Sequence, residues 1–395
     1  MICEKKRVLL TGARTLCTLE LSRQLHASGH EVIAADTSLW HPIRFSHSIS
    51  KLIMVPSPRF AEEEFIQSLL QIIKDEKIDL LIPLWEEAIY MSRHLHRFPS
   101  SCKVFCSSFE TILTLHNKWL FIRQLEALGF KIPHTRLINS RQELEMIDFN
   151  FPYILKACYS RAARKIVKVF STQKPDIEIE ASNPWIAQEY ISGPQHCSYS
   201  ICYQGHILAH SVYPVDYTLD GSSCIVFQAI DHPKNFEWVS RFVRAINYTG
   251  QISFDFIEDS NHNLYAIECN PRSTSGLHLF LPQDHIDKAF LNTTDSTIFA
   301  RPGTRQQVAM GMILYGWRQG LREGRFWQYI ERLFTTKDVI FSSNDLKPFL
   351  LEPLVLCTYV WNSWRQGLPI PIFFTHDLEW NQDCIDTNDL AANCK

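Results

Sequence analysis

The chain has 395 residues, 46% hydrophobic and 21% charged, and only 14 of them are glycine. Glycine at roughly half its usual share excludes a collagen-like or low-complexity chain, and the apolar fraction excludes a disordered one. Lys and Arg number 39 against 42 Asp and Glu, a net charge of -3. That balance argues against a dedicated nucleic-acid binder and leaves room for a local anion pocket.

The length suffices for two or three domains, each with its own core. The apolar run at residues 8–10 is too short for a signal peptide, and no stretch approaches the roughly 18 apolar residues of a membrane span. Twelve cysteines are scattered without a CxxC pair. Cys102 and Cys106 have no second pair at zinc spacing, so free thiols in a reducing compartment are expected.

The first third alternates strand and helix. Residues 7–10 form an apolar run ending at Thr11-Gly12, the pattern of a buried strand. Leu16, Leu19, Leu21 and Leu25 then recur at helical spacing before Gly29. Residues 31–35, 80–83 and 103–106 read as further strands, with helices around 65–73 and 86–96. Such alternation implies a parallel sheet covered by helices. A dinucleotide fingerprint would need GxGxxG after the first strand, but Arg14 and Cys17 stand at the later glycine positions. A Rossmann-like domain without that cofactor is the reading preferred. Asp36, after the second strand, reads as a turn or cap residue. Glu86 and Glu87 lie at the mouth of this sheet and are substrate-side candidates.

A helix is expected over 119–128, capped by Gly129. A strand-rich region follows, with strands at 153–157, 166–170, 185–190, 198–203, 207–211, 251–257 and 264–269, and a helix at 235–246. Beyond about residue 300 the pattern turns helical, and five of the ten tryptophans lie past residue 316. There Ile313, Trp317, Leu321 and Ile330 recur at helical spacing and read as core. The nearby Arg318, Arg322 and Arg325 read as ordinary surface. His210 reads as structural.

The sharpest chemical signal is Ser253-Phe-Asp-Phe-Ile257, a polar turn, then Leu264-Tyr-Ala-Ile-Glu-Cys-Asn-Pro-Arg272. It reads as a hairpin. Glu268 and Asn270, two apart on one strand, share a face. Asp255 lies between Phe254 and Phe256, where a carboxylate is costly unless paired or metal-bound. Three oxygen donors on one face suit Mg²⁺, which fills its other positions with water and phosphate oxygens. The bland alternative is a surface hairpin with solvated carboxylates. Arg272 adds a cation for a transferring phosphoryl group or a carboxylate.

With its upstream motifs, this arrangement resembles the ATP-grasp superfamily of ligases, which includes biotin carboxylase, carbamoyl-phosphate synthase and D-alanine–D-alanine ligase. The resemblance covers roughly residues 1–280. It makes Asp255, Glu268 and Asn270 the metal ligands and Arg272 the catalytic cation. It makes Lys118 and Lys156 the phosphate lysines, and Gln188, Glu189, Tyr190 and Ile191 the adenine hinge. The ribose contact falls on Gln195 or His196, with His196 favoured. The family's glycine-rich phosphate loop is replaced by a glycine-free segment, in which Ser160, Arg161 and Arg164 are expected to hold phosphate through side chains. Ser273 to Gly276 is a substrate-loop candidate.

The expected architecture is mixed α/β and α+β. A Rossmann-like domain (1–113) is followed by an ATP-grasp domain (114–298) and a helical, Trp-rich C-terminal region (299–395). The resemblance implies a cytoplasmic ligase that uses ATP and magnesium, with manganese as the other acceptable ion. It would activate a carboxylate as an acyl phosphate and join it to an amine, both small molecules. Two alternatives stay open: a nucleotide-binding scaffold with a degenerate lid, and a carboxylase or carbamoyl-phosphate-forming enzyme. Neither nucleic acid nor a membrane span is expected, and oligomeric state stays open.

Overall fold

A computed structural model describes residues 4–160, 166–170, 174–180, 182–219 and 223–380. Five short parallel strands open the chain: β1 (Arg7–Thr11), β2 (Glu31–Asp36), β3 (Lys51–Met54), β4 (Leu80–Ile82) and β5 (Lys103–Val104), in the order β3-β2-β1-β4-β5. Their central residues Val8, Leu9, Leu10, Val32, Ile33, Leu80 and Leu81 are buried, as expected of strands covered on both faces. The covering helices are α1 (Leu16–Ala27), α2 (Glu62–Glu76), α3 (Glu87–Arg93) and α4 (Phe109–His116). β3 has its four residues half-buried or exposed although Leu52, Ile53 and Met54 are an apolar run.

The chain then enters a four-stranded sheet through α5 (Lys118–Ala127). Its strands are β6 (Thr135–Ile138), β7 (Tyr153–Ala157), β8 (Ile166–Val169) and β9 (Trp185–Glu189), in the order β6-β9-β7-β8. The helix α6 (Arg141–Glu145) packs beside it. A second, five-stranded sheet follows. It contains β10 (Gln195–Tyr203) and β11 (His206–Pro214). After the short strands β12 (Thr218–Leu219), β13 (Ser223–Cys224) and β14 (Val226–Gln228), and the helix α7 (Pro233–Ala245), come β15 (Gly250–Glu258) and β16 (Leu264–Asn270). Its order is β16-β15-β10-β11-β17, with β17 at Ile298–Phe299.

One face of this sheet rests on α5 and α7. Phe121, Trp238, Phe242, Phe254 and Phe256 meet there with ring centroids 5.0–6.0 Å apart, an apolar backing that fixes which way β15 faces.

The C-terminal region is helical from residue 309, but short strands tie it to the rest. β18 (Arg305–Gln307) pairs with β14, and β19 (Lys337–Asp338) pairs with β18. The helical run 309–322 contains a π-helical stretch at Met312–Gly316, and the longest C-terminal helix is Glu352–Gln366. Ile313, Trp317 and Leu321, read as core from their spacing, are exposed, whereas Met312, Gly316 and Tyr329 are buried. Helical periodicity finds a stripe but does not say which side of it is covered.

The last described residues return to the first sheet. Trp380 is buried against Tyr90 and Phe109, with centroids at 4.7 and 5.7 Å. Among the described residues no helix is long and apolar enough to cross a membrane.

Candidate functional site

Asp255 pairs directly with Glu268 across the β15–β16 hairpin, and Ser253 pairs with Asn270. Residues two apart on a strand share a face, so the three oxygen donors stand together, opposite the phenylalanines. A β-bulge makes this so. Phe256 pairs with Ala266 and Asp255 with Glu268, leaving Ile267 as the extra residue. Straight pairing through Ile267 would turn Glu268 and Asn270 toward the aromatic core.

Burial, then the adjacent Glu268, raises the Asp255 carboxyl above the usual carboxylate range. Cys197, paired with Asp255 from β10, donates to its Oδ1 at 3.0 Å.

Two lysines reach this face from elsewhere. Asn117 caps α5, its Oδ1 accepting from the N–H groups of Trp119 and Leu120 at 3.0 Å each. That cap, with the Lys118 N–H donated to the Cys158 carbonyl at 3.1 Å, fixes the base of Lys118. Its Nζ lies 3.5 Å from Glu268 and donates to the Ser160 carbonyl at 2.9 Å. Lys156 sits in the middle of the buried β7 and donates to Gln188 Oε1 at 3.0 Å. Burial pulls its pKa from 10.5 to about 8, while Glu268 and Asp255 act to hold the charge. Lys156 on the four-stranded sheet and Lys118 at the start of α5 thus both face the carboxylates of the hairpin.

Arg272 completes the cluster. Its guanidinium lies over the Trp85 ring at 4.0 Å, donates to Asn270 Oδ1 at 3.2 Å and has Nε 3.7 Å from Glu86. Glu86 thus belongs to the site. Its neighbour Glu87 does not: it is turned inward, accepting from the Thr11 hydroxyl and the N–H groups of Leu84 and Trp85. Ser273 is also buried, bonded to the Leu84 carbonyl, and Gly276 packs against Tyr199 and Ser211. Ser273 thus ties the loop to the segment after β4, while Gly276 packs on the five-stranded sheet.

The remaining candidates are placed unequally. Gln188 is buried and spends its amide oxygen on Lys156. Glu189 accepts from the His134 N–H at 3.1 Å, Tyr190 lies against Phe170, and Ile191 follows half-buried. Gln195 is exposed at the start of β10. His196 points the other way. It is buried, stacks on Phe256 and His232, and has its pKa drawn down to about 4, chiefly by burial. Alternation along β10 sets it on the aromatic face, opposite Asp255, whereas Gln195 shares the face of Asp255. The Ser160 hydroxyl turns back to the Ala157 carbonyl at 3.2 Å. Arg161 and Arg164 lie outside the described residues.

Trp85, Cys197 and Trp380 were missed in the sequence. Cys197 becomes visible only through strand register, and nothing local marks Trp85 or Trp380.

The donor set fits a hard divalent cation that keeps several non-protein ligands. It supplies two carboxylates and one amide oxygen, and no cluster of three His, Cys, Asp or Glu able to hold a metal occurs among the described residues. The crowding of Asp255 and Glu268 is the kind that a cation relieves.

Residues 115–276 match the family model of the ATP-grasp domain. Three solved structures share the fold. N5-carboxyaminoimidazole synthetase from Staphylococcus aureus is 14% identical with a TM-score of 0.61, over 80% of this chain and 86% of that one. L-amino acid ligase from Bacillus licheniformis is 15% identical at 0.58, over 76% and 78%. Biotin carboxylase from Campylobacter jejuni is 15% identical at 0.57, over 72% and 71%. No curated protein matches the chain in sequence. Lysines from a strand and a helix start opposed to the hairpin carboxylates, and a family match over the same segment, place residues 115–276 of this chain in the ATP-grasp superfamily.

Proposed function

We propose that the protein is an ATP-dependent ligase that activates a small-molecule carboxylate as an acyl phosphate and joins it to an amine, releasing ADP and phosphate. The observation that carries this reading is the convergence of Lys118, Lys156, Asp255, Glu268, Asn270 and Arg272 from two sheets, a helix start and a loop onto one cleft.

The chemistry follows from charge. ATP brings about four negative charges, which Lys118 and Lys156 offset as point charges. Asp255, Glu268 and Asn270 would hold magnesium, or manganese in its place, which when bound neutralises phosphate oxygens. Gln188 keeps the Lys156 ammonium in position. Arg272, pinned between Trp85, Asn270 and Glu86, presents a guanidinium to the carboxylate or the departing oxygens. Glu189, Tyr190 and Ile191 border the adenine, Gln195 the ribose, and Ser160, Arg161 and Arg164 the phosphates. No covalent protein intermediate is required, since positioning and charge stabilisation suffice.

The Staphylococcus aureus synthetase has been solved with ADP, and a biotin carboxylase domain from Hydrogenobacter thermophilus with MgADP and bicarbonate. Both agree with a nucleotide in this cleft. The division into domains at 1–113, 114–298 and 299–395 and a cytoplasmic location belong to the same reading.

The test is incubation with ATP, Mg²⁺ and panels of carboxylates, bicarbonate included, and amines. Release of ADP and phosphate that depends on both substrates supports the proposal. AMP as product, or no turnover across a wide panel, overturns it.

A further inference from the structure

A second cavity lies away from this cleft and shares none of its residues. It has a volume of about 450 Å³ and opens at the carboxyl ends of β2 and β3, where the helix Glu352–Gln366 and the segment 373–377 close over the parallel sheet. Sites of bound small molecules have this size and this place in open α/β sheets.

The floor of the cavity carries one guanidinium against two carboxylates, a net charge of -1. Arg14 is nearly buried, with Asp36 at 2.5 Å and Asp377 at 2.8 Å from its guanidinium nitrogens. Burial opposes the Arg14 charge, but the two carboxylates outweigh it and hold its pKa above the ordinary value. Arg14 also donates to the Phe374 carbonyl at 2.9 Å. Thus Asp36, which stands where dinucleotide-binding folds place a ribose ligand, is fully occupied by Arg14. Arg44 lies over the Trp40 ring, but Arg14 is spent on its two carboxylates and the floor is net negative, which disfavours the phosphate of a dinucleotide or any nucleotide.

The walls have another chemistry. Trp40, Phe373 and Phe374 supply aromatic surface, and Leu39 and Met54 add apolar surface. Between them lie polar groups with unused capacity. The side-chain amides of Asn362 and Gln366 make no hydrogen bond among the described residues, and neither does the buried Tyr359 hydroxyl. A buried hydroxyl without a partner is costly, and a polar ligand edge removes that cost.

From this juxtaposition we infer that the cavity binds an uncharged, flat heteroaromatic molecule of nucleobase or nucleoside size. Its ring lies against Trp40 and the two phenylalanines, and its edge is read by Asn362, Gln366 and Tyr359. The site is independent of the proposed ligase reaction.

Equilibrium dialysis of the full chain with adenosine, guanosine, uridine or cytidine tests this, with ATP and Mg²⁺ at saturation throughout. At least one nucleoside is expected to bind, more tightly than its 5′-monophosphate. Asn362→Leu and Trp40→Ala, each checked for an unchanged circular dichroism spectrum, should each weaken that binding by about tenfold or more. Three results overturn the inference: no nucleoside binding at millimolar concentration, monophosphate binding tighter than nucleoside, or binding unchanged in both variants. The saturating ATP keeps nucleoside out of the other cleft, so nucleoside binding seen only in a control with ATP omitted would belong to that cleft and would also overturn the inference.

Discussion

One oxygen of Glu86 lies 3.7 Å from Nε of Arg272, while its other oxygen accepts the backbone N–H of Trp380 at 3.1 Å. A single buried carboxylate thus links the site to the end of the C-terminal segment. Glu86→Gln keeps the hydrogen-bonding shape and removes the charge that holds the guanidinium. We expect kcat to fall about tenfold or more with KM for ATP nearly unchanged. Trp380→Ala, which frees the segment, should move kcat the same way. Steady-state kinetics with ATP as the varied substrate checks both, and equal losses in ATP affinity would refute the role.

Glu268 faces Asp255 and Lys118 together. Glu268→Ala removes a cation ligand and leaves Lys118 without its carboxylate. Turnover should drop by at least about 100-fold, and so should the affinity for Mn²⁺ measured by titration. Chelation of the wild type with EDTA should abolish turnover, and added Mg²⁺ should restore it. A Glu268→Ala protein that still turns over would show the site to be misassigned.

Lys156 is a buried ammonium whose pKa is held near 8 by burial. Its charged form therefore costs the fold free energy at neutral pH. Lys156→Met, similar in length and apolar, should raise the stability of the ligand-free protein by about 1–3 kcal/mol. The same change should reduce ATP affinity about tenfold or more. Thermal melts with and without ATP–Mg²⁺ read both effects, and the stabilisation by nucleotide seen in the wild type should be largely lost.

Three histidines set the acid limit of the fold. Burial holds His116, His210 and His278 at about 3, against an ordinary value of 6.5. Between those values the unfolded chain takes up protons that the native state refuses, so stability falls as pH falls. Each contributes about 1.4 kcal/mol per pH unit in that window. Urea unfolding at pH 7, 6 and 5 should show the decline beginning below pH 6.5, offset in part by the raised carboxyls of Asp255 and Glu352, which take up protons in the native state. Constant stability down to pH 5 would contradict it.

Much of the fold was legible because its strands are covered on both faces. Residues 153–157 were placed to the residue, and the hairpin strands 251–257 and 264–269 differ from those observed by a residue at their ends. The small strands after β11, and β3, were not seen, because exposed two- to four-residue pairings carry no periodic signal. At the site, Asp255, Glu268 and Asn270 were readable from alternation near the end of a hairpin. Glu86 and Glu87 were not separable, since adjacent carboxylates at a helix start differ only in the face the helix presents. His196 and Gln195 failed for the same reason: one residue of strand phase decides between core and cleft.

The bulge at Ile267 gives the hairpin an unequal tolerance to changes of length. Upstream of it, Leu264 and Ala266 anchor the strand in the aromatic core; downstream, Glu268 and Asn270 aim at the cleft. Deleting Ile267 leaves a regular ladder in which Ala266 still meets Phe256 and Glu268 still meets Asp255, so the donors keep their side. Adding a residue beside it forces a wider bulge, turns the two oxygen donors toward Phe254 and Ile252, or slides them along to face Ser253 and Gln251, away from Asp255. Mn²⁺ titration of the two variants should find binding retained after the deletion and lost after the insertion. At this strand, the site withstands shortening by one residue and not lengthening.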